Sequence, residues 1–494
     1  MLGRVQQALD LNGSPSVVLA PQRQQVIDLT GEGLANAQTV SECLQRGNIP
    51  RGAVVIADEA GQIGGQQLLD LVRLVEEHDG RLILSGDTRQ HGPVKASDAL
   101  RAIERYSGLG FAELNEIRRQ DPARGTTEEE REQIRSYREA VEATAAGDQA
   151  GAFERLEEMG AIVECGIAEM SERLGDSYLK CLASGESVVV VSQTRAEIKE
   201  INQNVRARLR AQGRLEGQEV QMVSLQQVDL TAAQMRDRRY YSEDTVLVFN
   251  CNYRGSSRGD HGRFVGFSAT GIVLDVEGRV LRVPFSQLDR LTVCRSESLS
   301  ACTGDRLQLK ANGASSDGRK LANGEIVTIA DIDTTGTIRL NDGRILPKNY
   351  RQFQRGYAVT SYGSQGKTVD HVIFSDSAVR AATNAQQWYV TISRGRKSIQ
   401  IFTADKEQLR QAISRCGERE LALDLATPPH RSRRVREQML RGVKRGREFA
   451  RRLCMLAART WAGTLRKNKL AQVYDTPIRN RQTNRPRRTN VLAP

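Results

Sequence analysis

The sequence is poor in the residues that build metal cages, disulfide scaffolds and membrane spans. Its eight cysteines lie scattered with no Cys-x-x-Cys pair, and no two of its five histidines fall within one helical turn. This spacing argues against a zinc site and against a disulfide framework. No apolar run approaches the roughly 18 residues that a membrane span needs. We therefore expect a cytoplasmic protein without a membrane segment.

One nucleotide-binding motif is also missing. No Gly-x4-Gly-Lys-[Ser/Thr] phosphate-binding loop occurs anywhere in the chain. The only Gly-Lys-Thr is Gly366-Lys367-Thr368, and Ser361 stands where the first glycine of such a loop would be. Because this tripeptide does not lie between a first strand and its helix, we reject it as a phosphate-binding loop.

Positive charge is present in excess, and it is concentrated at one end of the chain. The 494 residues carry a formal net charge of +12, whereas residues 430–494 alone hold 19 basic residues against three acidic ones. The rest of the chain is therefore slightly acidic. A basic tail is an electrostatic footprint for nucleic acid or other polyanions, and a solubilising, disordered tail fits the charge equally well.

Short β-branched runs alternate with helical patterns in two parts of the chain. Strands separated by helices in this way form parallel, doubly wound sheets, so the predicted fold is α/β with two parallel-sheet domains. The predicted strands of these domains are Ser16–Ala20, Ala53–Ala57, Arg81–Ser85, Ser187–Val191, Tyr357–Ser361, His371–Ser375 and Ser398–Thr403.

Between residues 215 and 352 the pattern changes. Short strands alternate there with Gly, Asp and Asn turns, as in small antiparallel barrels. We predict a first α/β domain at 1–114, a second at 115–214 and 353–426, and a β-rich insertion at 215–352 within the second. Residues 427–494 are predicted to form a basic helix and a disordered tail.

Two adjacent carboxylates, Asp58 and Glu59, follow the strand Ala53–Ala57. In nucleotide hydrolases such a pair lets the Asp hold Mg²⁺ while the Glu orients or deprotonates the attacking water. A pair that merely caps the next helix is the ordinary alternative. The next strand ends in Gly86-Asp87, and Gln90 follows three residues later, where it could sense a γ-phosphate at the neighbouring strand end. Gly86 could equally be an ordinary turn residue.

Three further segments extend the pattern: Glu116–Gln120, the glycine-rich turn within Gly356–Asp370, and Trp388–Arg396. In this order the segments resemble motifs II to VI of superfamily 1 helicases of the RecD-like, 5′-to-3′ class. Ala20-Pro21-Gln22 is similar to motif Ia. The resemblance spans roughly residues 15–405 and is to the helicase half of conjugative relaxases of the TraI/TrwC (MobF) type.

The resemblance implies an ATP- and Mg²⁺-dependent helicase with two RecA-like domains, the second carrying an SH3-like insertion. Asp58 would bind Mg²⁺, Glu59 would be the catalytic base, and Gln90 would couple ATP to domain closure. Arg119 and Arg394 would be arginine fingers that neutralise charge on the transferred phosphoryl group. The other implied residues are Gly86, Asp87 and Gly366 for nucleotide, and Pro21, Gln22, His91, Ser364 and Thr368 for single-stranded DNA.

In this family a phosphate-binding loop precedes the Ala-Pro-Gln strand. Its absence leads us to expect a chain truncated after that loop and deficient in ATPase on its own. Relaxosome or type IV secretion components are the implied protein partners. The five dispersed histidines cannot supply a relaxase metal cluster, so no nickase activity is expected. Two alternatives remain open, a RecD-like repair helicase and a non-catalytic remnant of the motor that binds single-stranded nucleic acid.

Overall fold

The computed structural model describes residues 2–93, 97–114, 116–333, 335–376, 383–417, 421 and 423. The chain divides into two units, one formed by residues 1–12 and 429–494 and the other by residues 13–428. The described part of the first unit is the helix α1 (Leu2–Leu11) and Asn12. The predicted basic tail at 427–494 lies outside the described residues.

The second unit begins with a parallel sheet of four strands, called here the first lobe together with its helices. Its strands lie in the order β2-β1-β3-β4, and helices α2–α5 connect and follow them. The elements are β1 (Ser16–Ala20), α2 (Arg23–Gly31), β2 (Ala37–Thr39), α3 (Val40–Arg46), β3 (Val54–Ala57), α4 (Gly65–Glu77), β4 (Arg81–Leu84) and α5 (Ala99–Tyr106).

The next elements start a second α/β lobe. The charged stretch after residue 126 forms two helices because Gly147 and Asp148 interrupt it, with the Asp148 side chain capping the second. The basic segment Arg195–Ala211 forms one helix, capped by the side chain of Thr194. The elements are α6 (Glu128–Ala145), α7 (Gln149–Glu158), β5 (Ile162–Glu164), α8 (Ile167–Ala183), β6 (Val188–Ser192) and α9 (Arg195–Ala211).

The β-rich region that follows contains two antiparallel sheets and a short hairpin. The larger sheet has the order β11-β10-β9-β8-β12-β7, and the smaller has the order β17-β16-β13-β18. The strands are β7 (Val220–Gln227), β8 (Thr245–Phe249), β9 (His261–Ser268), β10 (Gly271–Val276), β11 (Arg279–Pro284), β12 (Leu291–Ala301), β13 (Arg306–Leu309), β14 (Gly313–Ala314), β15 (Lys320–Leu321), β16 (Ile326–Ile332), β17 (Ile338–Leu340) and β18 (Phe353–Arg355).

The chain then returns to the second lobe and completes its sheet. All five strands are parallel in the order β19-β6-β20-β21-β5, and one apolar core covers each face of the sheet. The remaining elements are β19 (Ala358–Thr360), α10 (Ser361–Ser364), β20 (Val369–Asp376), α11 (Ala385–Ile392), β21 (Gly395–Thr403) and α12 (Lys406–Ile413).

The predicted α/β fold, with two parallel sheets and a β-rich insertion inside the second lobe, is confirmed. The strand ends that bear the sequence motifs, those of β3, β4 and β19, are carboxyl ends, where open α/β sheets carry their ligand sites. Within the described residues, no helix is both long enough and apolar enough to cross a bilayer.

Candidate active site at the cleft between the lobes

The carboxyl end of β3 places two carboxylates at the start of the cleft. Asp58 is held by its backbone N–H, which donates to Leu19 O at 2.8 Å, and burial raises the pKa of its carboxyl against the opposing effect of a hydrogen bond from Ser85. Glu59 has a φ of 50°, a left-handed conformation that costs about 1 kcal/mol or more for a non-glycine residue. Burial and the neighbouring Asp58 raise the pKa of Glu59, whereas Arg394 lowers it.

Gly86 lets the end of β4 approach the turn that follows these carboxylates. A Cβ atom at this position would lie 3.1 Å from the backbone nitrogens of both Ala60 and Gly61 and 3.0 Å from a methyl group of Leu100. Backbone atoms cannot move aside as a flexible side chain can. The glycine is therefore required by close packing between two strand ends.

We expect Gly86→Ala to destabilise the protein by about 1–3 kcal/mol, because the added methyl group overpacks this junction. The free energy of unfolding from urea titration measures the effect. Gly92→Ala is the matched control, since the nearest atom to a Cβ there is 3.7 Å away. Equal effects of the two substitutions would contradict the packing argument.

The segment after β4 reaches from the first lobe to the second. Asp87 accepts hydrogen bonds from the backbone and side chain of Arg89, at 3.0 and 2.9 Å. Arg89 in turn donates to Ala145 O at the end of α6 at 2.8 Å, and its guanidinium carbon lies 5.9 Å from the centre of the Tyr389 ring. Gln90 Oε1 lies 3.5 Å from Arg394 Nη2. This segment is therefore a bridge between the lobes.

His91 makes the last contact of this bridge. Its ring stacks on that of Tyr362 with centroids 3.9 Å apart and planes inclined by 10°, and its Nε2 lies 3.2 Å from Ser361 Oγ. His91 is buried, whereas Tyr362 is exposed. The side chain that faces solvent at this contact is thus the tyrosine.

Two arginines interact electrostatically with Glu59 at the cleft. Arg394 is only 3% exposed and donates from Nε to Val390 O at 2.8 Å and from Nη2 to Ser393 Oγ at 3.2 Å. Burial, with the nearby positive charge of Arg119, lowers the pKa of Arg394 to about 10, while Glu59 opposes the shift. Arg119 donates to Ser393 O, and burial lowers its pKa as well.

A cavity of about 270 Å³ opens beside these groups. Both arginines line it, together with Gln90 from the first lobe and Tyr389 from the second. A cavity with two poorly solvated cations in its wall suits a polyanion as its occupant.

The sequence did not reveal Gln62, which contacts Glu59 directly. Gln62 Nε2 donates to Glu59 Oε2 at 3.1 Å, and Gln62 Oε1 accepts from Gln22 at 2.7 Å and from Gln25 at 3.1 Å. Because two amide groups point at its oxygen, its nitrogen must face the carboxylate. A hydrogen-bonded chain therefore runs from Gln22 to Glu59.

The residues predicted to contact single-stranded DNA are placed differently from one another. Gln22 is exposed at the start of α2, and Pro21 and Thr368 are half-buried. Ser364 is fully buried and donates to Ser361 O at 2.7 Å, so its hydroxyl is engaged within α10, and its contact with single-stranded DNA stays a prediction.

The glycine-lysine-threonine segment is used for structure in the second lobe. Gly366 has a φ of 79°, which favours glycine. Lys367 Nζ donates to Gly324 O in the β-rich insertion at 2.7 Å, and burial lowers the pKa of Lys367 to about 8. The lysine is therefore engaged with the insertion.

The donor set at β3 fits a magnesium ion. The nearby groups are the carboxylate oxygens of Asp58 and the hydroxyl of Ser85, and Mg²⁺ is commonly held by one or two carboxylates plus waters and substrate phosphates. Among the described residues, no cluster of three or more His, Cys, Asp or Glu side chains could hold a metal by itself. Asp58 would thus be one ligand among waters and phosphate oxygens.

Comparison with known proteins gives matches of two kinds. A family model described as an AAA domain matches residues 1–166. The multifunctional conjugation protein TraI of Escherichia coli K12 is 22% identical over 475 residues, and the conjugal transfer protein TraA of Rhizobium radiobacter is 34% identical over 113 residues. The matches cover 84% and 21% of this chain, respectively, but only 26% and 10% of those proteins.

Solved helicase structures also match. The Pif1 helicase from Bacteroides in complex with ADP-AlF3 and ssDNA has a TM-score of 0.35 and 14% identity, covering 80% of this chain and 84% of that one. The Pif1 helicase from Candida albicans has a TM-score of 0.37 and 13% identity, covering 82% and 88%.

The chain thus spans about a quarter of the length of TraI. Together, the ordered motifs and the matches to conjugation proteins support a TraI-like superfamily 1 helicase region.

Proposed function

We propose that this chain is the motor part of a conjugative-transfer helicase, an ATP-dependent enzyme that moves 5′-to-3′ along single-stranded DNA. The observation that carries the proposal is the convergence of Glu59, Gln90, Arg119 and Arg394 at one cleft between two parallel sheets. Relaxosome or type IV secretion components are proposed as its protein partners.

In this proposal each group acts on the triphosphate. Glu59 orients and deprotonates the attacking water, for which a raised pKa and a buried position are suited. Arg119 and Arg394 neutralise the charge that develops on the transferred phosphoryl group. Mg²⁺, when bound at Asp58, would neutralise phosphate charge. Gln90 contacts Arg394 across the cleft. A phosphate bound beside these two residues would therefore interact with both lobes.

The chain lacks the loop that normally holds the β- and γ-phosphates of ATP. The sequence contains no Gly-x4-Gly-Lys-[Ser/Thr], and such a loop supplies the backbone N–H groups and the lysine that cradle the β- and γ-phosphates. We therefore propose that this polypeptide alone hydrolyses ATP very poorly. Robust DNA-stimulated ATPase of the unmodified chain, abolished by Glu59→Gln, would refute this deficiency while supporting the motor.

Grafting a phosphate-binding-loop segment onto the N-terminus tests the motor itself. We expect the graft to restore DNA-stimulated ATPase and Glu59→Gln to reduce the restored rate by about 10²-fold to 10⁴-fold, the usual contribution of a general base. Glu77→Gln, an exposed glutamate of α4, is the control that changes charge without touching the cleft.

A different outcome would favour a second function. Salt-dependent DNA binding with no ATPase or unwinding, even after the graft, would indicate a non-catalytic single-strand-binding remnant. A RecD-like repair helicase remains the other motor-class candidate, and the β-rich insertion and the basic tail fit it less well.

A further inference from the structure

Two arginines from separate segments of the β-rich insertion lie against one aromatic ring, and a third contacts the turn that carries this ring. Arg254 lies in the turn between β8 and β9, Arg279 begins β11, and Arg290 precedes β12. The guanidinium carbons of Arg254 and Arg290 lie 5.4 and 5.9 Å from the centre of the Tyr253 ring. The three residues and Tyr253 are called here the arginine cluster.

The turn that carries Arg254 is tightly built. Tyr253 and Ser256 exchange two backbone hydrogen bonds, at 2.8 and 2.9 Å. The two residues between them, Arg254 and Gly255, have φ values of 44° and 80°, as in a type I′ hairpin turn. Asn, Asp or Gly normally occupies the position of Arg254 in such a turn, so an arginine there is held at a conformational cost.

Arg279 is oriented by this turn. Its Nη1 donates to Arg254 O at 3.1 Å, and its Nη2 donates to Ser256 Oγ at 2.9 Å. A Cβ atom on Gly255 would lie 2.9 Å from Arg279 Nη1, so the glycine leaves the space that this guanidinium group fills. The cluster is thus preorganised by contacts between its own members.

These three cations are exposed and lack a carboxylate partner. None of them has an Asp or Glu oxygen within 4.0 Å in the part of the chain that the structure describes, a state that they share with exposed arginines such as Arg258 and Arg282, whereas three other arginines of the insertion are paired. Those paired arginines are Arg239 with Asp237, Arg263 with Asp275, and Arg319 with Asp317. Like charges gathered around one ring repel one another unless an anion joins them.

The tyrosine adds a second observation. Tyr253 is 7% exposed, and its hydroxyl oxygen is buried without a hydrogen-bond partner among the described residues. A buried polar atom in that state is uncommon and is usually satisfied by a ligand or by water. The ring that carries this unsatisfied hydroxyl is thus the ring against which Arg254 and Arg290 lie.

We propose that the arginine cluster binds the phosphodiester backbone of a nucleic acid strand, at a surface built from residues outside the motif-bearing cleft. Guanidinium groups form paired hydrogen bonds with phosphate oxygens. A strand presents successive phosphates, so it neutralises several arginines at once, which a single carboxylate of a protein partner does not. The surface needs neither nucleotide nor a phosphate-binding loop, so it stands independently of the proposed motor.

The test uses two triple variants of the full chain with the same change in charge. One is Arg254→Gln/Arg279→Gln/Arg290→Gln, and the matched control is Arg239→Gln/Arg263→Gln/Arg319→Gln, which removes only paired arginines. Fluorescence anisotropy of a labelled oligo-dT strand gives the affinity between about 50 and 200 mM salt. We expect the cluster variant to flatten the slope of log affinity against log salt by roughly 2, and to weaken binding roughly tenfold to hundredfold at physiological salt. The control should leave the slope close to that of the unmodified chain.

Other outcomes would overturn the proposal. Equal changes in both triple variants would mean that only net charge matters. Loss of poly-glutamate binding without loss of DNA binding would identify an acidic protein as the occupant. The single variant Arg290→Gln tests the proposal even if the triple variant misfolds, because the Arg290 side chain makes no hydrogen bond to the turn. We expect it to flatten the slope by roughly 0.7. A duplex of the same length shows whether the cluster prefers one strand or two.

Discussion

We expect Asp305→Asn to lower the free energy of unfolding by about 3–5 kcal/mol, the range found when one partner of a buried ion pair is removed. Asp305 is 1% exposed. Its carboxylate accepts hydrogen bonds from Arg206 Nε at 2.9 and 3.0 Å and from the Tyr357 hydroxyl at 2.7 Å, as well as from the Cys302 backbone N–H at 2.9 Å. An amide accepts on one side only and would turn its own N–H groups toward these donors.

The large effect follows from what the other partners lose. Although burial alone would lower the pKa of Arg206, its hydrogen bonds and charge interactions with Asp305 and Glu219 raise it. Without the Asp305 carboxylate, the buried guanidinium group keeps one carboxylate partner among the described residues, Glu219 at 2.9 Å. The same carboxylate ties α9 and the residue before β19 to the insertion, so the damage spreads to the junction of two domains.

Urea unfolding at neutral pH measures this change. The matched control is Asp79→Asn, which removes an exposed carboxylate that pairs with Arg51 at 2.6 Å, and it should have little effect because surface pairs contribute little. A loss below about 1 kcal/mol for Asp305→Asn would show that Glu219 alone compensates the buried charge.

The strands that could be predicted from the sequence are those with their own apolar signal. The run before Asp58, Val54–Ala57, is buried throughout, and such a run indicates a central strand whatever its neighbours are. The same holds for Val188–Ser192 in the second sheet. In both lobes, the helices that separate consecutive strands then predict that these strands run parallel to one another.

Several strands could not be predicted because they depend on a partner. β7 and β12 carry polar stretches such as Gln226-Gln227 and Arg295-Ser296-Glu297-Ser298, and only antiparallel pairing over eight residues holds them together. β5 is three residues long and sits at an edge of its sheet. Pairing of this kind is a tertiary effect, which local propensity does not contain.

The residues of the candidate site also divide into those that the sequence indicates by itself and those that depend on tertiary contacts. Asp58, Glu59, Gln90 and Arg394 could be named from the sequence because they follow or precede recognisable strands within segments that resemble helicase motifs, and their roles stay predictions. Gln62 was not found, since its contact with Glu59 depends on amide orientation set by Gln22 and Gln25. The burial of the Ser364 hydroxyl was not predicted either. A four-residue helix is too short for a periodic pattern that shows which side faces the core.

The interface at His91 allows a test of cleft closure by pH. The imidazole is buried between the lobes, 7% exposed, and it stacks on Tyr362. Burial, with the positive charge of Arg394 nearby, lowers the pKa of His91 to about 4 from its ordinary value of 6.5. The native protein therefore keeps this ring neutral at pH values at which the unfolded chain already protonates it.

The sign of the effect follows from that difference. Since the unfolded state binds a proton between pH 6.5 and about 4 and the native state does not, stability falls as the pH falls through this window. The loss amounts to about 3 kcal/mol at its limit. His91→Phe keeps an aromatic ring on Tyr362, and we expect it to remove this part of the pH dependence in urea unfolding measured from pH 7 downward. His78→Phe is the control. It removes a histidine outside the cleft, so it shows how the loss of one histidine from the unfolded chain changes the pH dependence. If His91→Phe and the unmodified protein lose stability in parallel, the histidine is not buried in solution, and the two lobes do not stay in contact at His91.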